Sequence, residues 1–219
     1  MKTNKSNSLT LTLIAGLSLA LAGCASSGYQ KGTKAAENIQ NAANRIAAMP
    51  GRIDQTLAAL NDLVEKPQPD LRPQFKTFTA QVADMDSEAQ DVAAARRSMA
   101  ESGQTFFATW DEELAKIQNE DIKARSASRK QEVAQKLLAI KMSYAETEMS
   151  FKPFMADLKD MQKYLSVDLT GAGVKSMKDT AAKATQKAGP LKDAISKLAA
   201  DFRSLGLAMS AVTPAPAGK

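Results

Sequence analysis

The chain has 219 residues, no histidine and a single cysteine, and its 29 Lys and Arg against 24 Asp and Glu give a net charge of +5. Lacking histidine and a second thiol, it has neither the commonest general base nor the commonest metal ligand. Ser–His and Cys–His nucleophile pairs, haem ligation by histidine and internal disulfides are excluded with them. Zinc held without Cys or His is not expected either, and so mild a charge gives no nucleic-acid footprint, which needs a strongly basic face. The expectation is a non-enzymatic protein with no cofactor, no metal and no nucleic-acid partner.

At the start of the chain, Lys2 and Lys5 precede an apolar run from Leu9 to Ala20 that closes in Leu21-Ala22-Gly23-Cys24. Positive, then apolar, then small residues is the order of a secretory signal, and the run falls short of the ~20 apolar residues that span a bilayer. Leu21, Ala22, Gly23 and Cys24 are similar to the signal-peptidase motif of bacterial lipoproteins, with the only cysteine in its last place. The chemistry needs those residue types: a thiol forms a thioether to diacylglycerol, and small residues fit the peptidase cleft. Residues 1–23 are therefore expected to be a lipoprotein signal peptide, and Cys24 the acylated, palmitate-bearing first residue of the mature chain. Several acyl chains hold a protein stably at a membrane, at about 0.8 kcal/mol per buried methylene. Ala25 stands where lipoproteins retained in the inner membrane carry Asp, so by that resemblance the address is the outer membrane, facing the periplasm. Removing residues 1–23 takes away Lys2 and Lys5 and no acid, leaving a net charge near +3. Residues 24–33 read as a polar tether of the flexible Gly/Ser type.

From Lys34 the sequence is rich in Ala and other strong helix formers, with apolar residues at alternating steps of three and four. Four helices are expected, over about 34–65, 71–118, 121–165 and 170–210. The first carries Ile39, Ala43, Ile46, Ile53, Leu57, Leu60 and Val64 on one stripe; the second, Phe75, Phe78, Val82, Met85, Ala89, Val92, Met99, Phe106, Trp110, Leu114 and Ile117. In the third the stripe is Ile122, Val133, Leu137, Ile140, Tyr144, Phe151, Met155, Leu158 and Leu165, and in the fourth it runs from Val174 through Leu191 and Ile195 to Met209. No stretch sustains the period-two alternation of strands.

Turn chemistry separates these stripes. Lys66-Pro67-Gln68-Pro69-Asp70 ends the first helix, because proline lacks a donor and clashes with the preceding turn. Asn119-Glu120-Asp121 joins the second to the third, and Asp168 or Thr170 is placed to cap the fourth. Pro50, Pro153 and Pro190 lie inside periodic runs and predict kinks, with Met49-Pro50-Gly51 a true interruption. Residues 211–219 read as a disordered tail. Short joints make neighbours antiparallel, so the fold class is all-α: an elongated, coiled-coil-like antiparallel bundle of three to four long helices behind a lipoprotein signal peptide. Folding the second helix on the third sets Phe106 against Val133 and Ile117 against Ile122. Folding the third on the fourth sets Tyr144 against Leu191, and both registers bury Ile140. Four ion pairs at i,i+4 are expected on exposed faces: Glu132–Lys136, Glu148–Lys152, Asp179–Lys183 and Asp193–Lys197.

Three constellations bear on function. Trp110 and Glu113, with Arg129 across the hairpin, form a register-fixing or partner site: either an aromatic–acidic grip on a ligand, or a seam aromatic covered by an arginine stem beside an ion pair. Phe151-Lys152-Pro153-Phe154, with Tyr164-Leu165, is either a partner groove or core. Lys219 resembles the end of the major murein lipoprotein, whose terminal lysine is joined to peptidoglycan, although Pro-Ala-Pro-Ala-Gly before it departs from that ending.

Two stretches carry a wider likeness: Phe106-Phe107-Ala-Thr-Trp110-Asp-Glu-Glu-Leu114 through Asn119, and Phe151-Lys-Pro-Phe154 through Tyr164-Leu165 to Thr170. With the lipoprotein motif in front, the chain resembles a bacterial family of coiled-coil periplasmic lipoproteins classed only as a domain of unknown function. The likeness runs from roughly Gly28 to Leu205 and implies a helical envelope protein without assigning a catalytic or binding residue. The functional expectation is a membrane-anchored, non-enzymatic helical scaffold or adaptor whose partner is an envelope protein or peptidoglycan. The alternatives are a wall tether through Lys219, a carboxylate-only envelope enzyme, or a carrier with a ligand cavity between its helices.

Overall fold

A computed structural model describes residues 28–210. The signal peptide (1–23), Cys24 with its preceding motif, and the tail with Lys219 lie outside the described residues. Five helices follow one another: α1 (Gly28–Glu65), α2 (Arg72–Ala115), α3 (Glu120–Val167), α4 (Gly171–Ser176) and α5 (Lys178–Met209). Among the described residues there is no strand. At 1.5 Å per residue, α2 with 44 residues and α3 with 48 are roughly 66 and 72 Å long, and the four long helices alternate in direction. α1 lies against both α2 and α5, and α3 closes the bundle by packing on α5 and, less extensively, on α2.

The expected stripes are the core. Ile39, Ile46, Ile53, Leu57, Leu60 and Val64 of α1 are buried, as are Phe78, Val82 and Met85 of α2 and Leu191, Ile195, Leu198, Phe202 and Leu205 of α5. Ile140 is buried as both registers require. Ile122 is not: 56 % exposed, it stands at the hairpin tip where α3 begins.

Several boundaries differ for local reasons. The segment read as a tether is helical from Gly28, and a Cβ on Gly32 would lie 2.9 Å from the Phe106 ring, so α1 approaches α2 closely there. Met49-Pro50-Gly51 does not interrupt α1, and Pro153 and Pro190 likewise sit within α3 and α5. The turn from α1 to α2 is clamped by Gln74, whose Nε2 donates to Asp62 Oδ2 (2.7 Å) and whose Oε1 accepts from Gln68 N (2.9 Å). Asn119 caps α3 through Ile122 N (3.1 Å), and Thr170 caps α4 through Gly173 N (3.0 Å). The fourth expected helix is divided at Met177 into α4 and α5. That extra turn delays the return of the chain and shifts the register of α5 on α3. Tyr144 lines a cavity with Ile195 and Leu198, while Leu191 lies with Phe154, and Lys187 reaches Asp157 at 2.7 Å.

Candidate functional site

The hairpin of α2 and α3 is fastened at its closed end. Trp110 Nε1 donates to Ser126 Oγ (2.9 Å), Lys130 pairs with Asp111, and the Lys130 ammonium stands 5.9 Å from the centre of the Phe107 ring. Further along, the Arg96 guanidinium lies over the Tyr144 ring at 5.0 Å. Near the opposite end, Lys159 Nζ donates to Asp86 Oδ1 (2.7 Å). Between those last two contacts, α2 and α3 stand apart and leave a slot into the middle of the bundle.

Where the slot opens, α2 contributes the small side chains Ala89 and Ala93 and α3 contributes Phe151. Its floor is core: Ile46 and Met49 from α1, Ile195 and Leu198 from α5. The cavity volume is about 230 Å³. A 150 Å³ apolar cavity holds benzene, whereas pockets for whole ligands run to ~300–1,000 Å³. The slot therefore has room for one bulky apolar group.

Its mouth is charged and internally paired. Glu148 takes Lys152 at 3.2 Å, and Asp86 also accepts from Gln90 Nε2 at 3.3 Å beside its bond to Lys159. Tyr144 forms one wall: burial raises its phenol above the ordinary tyrosine range, Glu148 adds to the rise, and Arg96 opposes it. Arg96 Nε is buried without a hydrogen-bond partner, while its guanidinium both stacks on the Tyr144 ring and hydrogen-bonds the Tyr144 hydroxyl. Chemically the slot offers an apolar floor and a polar rim. Among the described residues no group of three acidic side chains is placed to hold a metal ion.

The expected constellations fare differently. Trp110 and Glu113 line one shallow groove with Phe106 and Thr109, but among the described residues no ion pair joins Glu113 to Arg129. Glu113 pairs with Lys116 of its own helix (2.7 Å), whereas Arg129 pairs with Glu132 (2.9 Å) and donates to the Ala208 carbonyl (3.0 Å), tying α3 to the end of α5. The contacts that join the two helices here are made by Ser126 with Trp110 and by Lys130 with Asp111; the sequence singles out neither Ser126 nor Lys130. The expected hairpin register sets Asp111 opposite Ser128, two positions short of Lys130, so spacing alone does not name this pair. Phe154 and Leu165 are core, Phe151 lines the slot, and Tyr164 is exposed and accepts from Ser176 Oγ (3.1 Å). Of the four expected i,i+4 pairs Glu148–Lys152 forms, whereas Glu132 takes Arg129, Lys197 takes Asp201, and Asp179 and Lys183 form no ion pair with each other.

Comparison with known families matches residues 22–204 to the family described as "Protein of unknown function (DUF2959)". The chain belongs to that family. No curated protein and no solved structure matches it. The match begins within Leu21-Ala22-Gly23-Cys24 and takes in every residue of the slot.

Proposed function

We propose that this DUF2959 protein is a lipid-anchored, non-enzymatic helical scaffold or adaptor of the bacterial cell envelope, held by an acylated Cys24 in the outer membrane and projecting its bundle into the periplasm. The observation that carries the reading is that the sole cysteine closes Leu21-Ala22-Gly23-Cys24 behind a positive and then apolar segment. Among the described residues no helix is long and apolar enough to cross a membrane. Because α1 begins at Gly28, the four steps from Cys24 span at most ~14 Å. The bundle is thus mounted close to the lipid by a helix that continues into its own core.

The site geometry supports an adaptor. The carboxylates at the slot, Asp86 and Glu148, are each engaged by a lysine, which leaves no unpaired acid–base couple there. The slot's volume suits a protruding aromatic or aliphatic side chain of a partner protein.

Fractionation of cells expressing Cys24→Ser tests the anchor. The native chain is expected in the outer-membrane fraction, and the variant in the soluble periplasm or as uncleaved precursor. A variant that is processed and still fractionates with the native chain overturns the reading.

A further inference from the structure

α3 faces two ways. Val133, Ile140, Phe154 and Leu158 point into the core, while Leu138, Met142, Ala145 and Met149 recur at steps of four, three and four and are exposed. At 100° per residue the second set falls within a stripe ~60° wide, directly opposite Ile140. The exposures are 58 % for Leu138, 58 % for Met142 and 68 % for Met149. Lys141 borders the stripe on one side and Glu146 on the other. Both are exposed and neither forms an ion pair among the described residues, although Glu148 and Lys152 beside them satisfy one another.

We propose that this stripe is a self-association surface and that its occupant is α3 of a second copy, in parallel and in register. In heptad terms Leu138 and Ala145 take d, Met142 and Met149 take a, Lys141 takes g and Glu146 takes e. In a parallel two-stranded pair a g residue faces the e residue five positions on in its neighbour. Lys141 of each chain then meets the partner's Glu146, twice by symmetry, and the two unpaired charges of the monomer become two ion pairs of the dimer. Ala145 lets the helices approach, and the flexible methionines fill the layers on either side. An antiparallel pair sets like flank against like flank and leaves this complementarity unused. The parallel sense also sends both Cys24 residues to the same end, toward one membrane. That last point rests on the lipid-anchored reading; the seam rests on α3 alone.

Cysteine cross-linking of the full chain in cell membranes tests it. Leu138→Cys, Met142→Cys and Met149→Cys, each made singly, should all give reducible dimers on mild oxidation, whereas Ala58→Cys, exposed on α1, should not. Positions 138 and 149 are 11 residues apart, ~16 Å along the helix, so an antiparallel pair can link at most one of them. In detergent-purified chain, Lys141→Glu should weaken dimerisation roughly tenfold, since two exposed ion pairs become repulsive, and Glu146→Lys in the same chain should restore it. Leu138→Asp should give a monomer with unchanged helicity. A monomeric native chain, cross-linking at only one of the three positions, or indifference to both charge reversals overturns the proposal. The native chain is the control for the anchor: a reducible dimer through Cys24 itself refutes acylation, and the same series in a Cys24→Ser background then decides the seam independently.

Discussion

Tyr144 concentrates the electrostatics of the slot in one side chain. Its ring carries the Arg96 guanidinium on one face, and its half-buried hydroxyl is harder to ionise than a free phenol, chiefly through desolvation and then through Glu148. A group whose folded pKa is raised contributes its stability in full below the unfolded value, near 10 for tyrosine, and loses it as pH rises through the folded value. The bundle should therefore lose stability above about pH 10 as Tyr144 is driven to ionise. Tyr144→Phe keeps the ring and the stack, and it should make the alkaline fall in melting temperature shallower and remove the latest component of the tyrosinate absorbance titration. A native-like titration in the variant would refute the assignment. At this scale the sequence was least informative. Glu113 and Arg129 lie on facing helices, yet each takes a partner three residues away on its own helix. An exposed charge has several acceptors within reach at nearly equal free energy, and spacing alone does not choose among them. Trp110 was legible as a seam residue because its bulk demands burial, but its hydroxyl partner Ser126 carries no pattern to read.

At the level of elements, turn chemistry was legible wherever a side chain has one job. Asn119 and Thr170 cap the helices they precede, and the Lys66–Asp70 segment separates α1 from α2. Inserted helical turns were not: α4 is six residues long, continues the periodicity of α5, and announces itself only by shifting the register. Proline was over-read as a stop. In α1 the flanking residues Met49 and Ile53 are both buried, and their packing on α2 and α5 holds the helix through Pro50 although its missing N–H leaves one turn without a bond. Tertiary contact thus outweighs a local penalty of about 3 kcal/mol. Gly51 has open space where a Cβ would lie. Replacing both, Pro50→Ala with Gly51→Ala, should stabilise the protein by roughly 1–3 kcal/mol, read as a higher melting temperature and denaturant midpoint. A loss instead would mean that a bend at Pro50 is needed to bring α1 onto both neighbours.

For the whole molecule, the bundle follows from the stripes because each long helix has an apolar face to bury, α3 carrying a second one outward, and the joints are too short for anything but antiparallel neighbours. The slot does not follow, since it depends on how far α2 and α3 stand apart once α1 and α5 have set the spacing, and two alanines in a stripe do not fix that distance. The consequence is an uneven distribution of stability. α1 is flanked by α2 and α5 along its length, whereas α3 has an open slot on one side and an uncovered apolar stripe on the other. Amide exchange reports local opening, which is cheapest where buried apolar contacts are fewest. In the monomeric Leu138→Asp chain, amides of α1 around Ile53–Leu60 should exchange slowest. Those of α3 between Ile140 and Phe151 should exchange fastest among the interior turns of the long helices. If the exchange rates are equal along α1 and α3, the slot is closed in solution by a rearrangement of α2 and α3, and the adaptor reading loses its docking point. If α3 alone becomes protected in the native chain at dimer-forming concentration, while α1 is unchanged, the stripe and the slot act separately: one face joins copies, the other stays open to a partner.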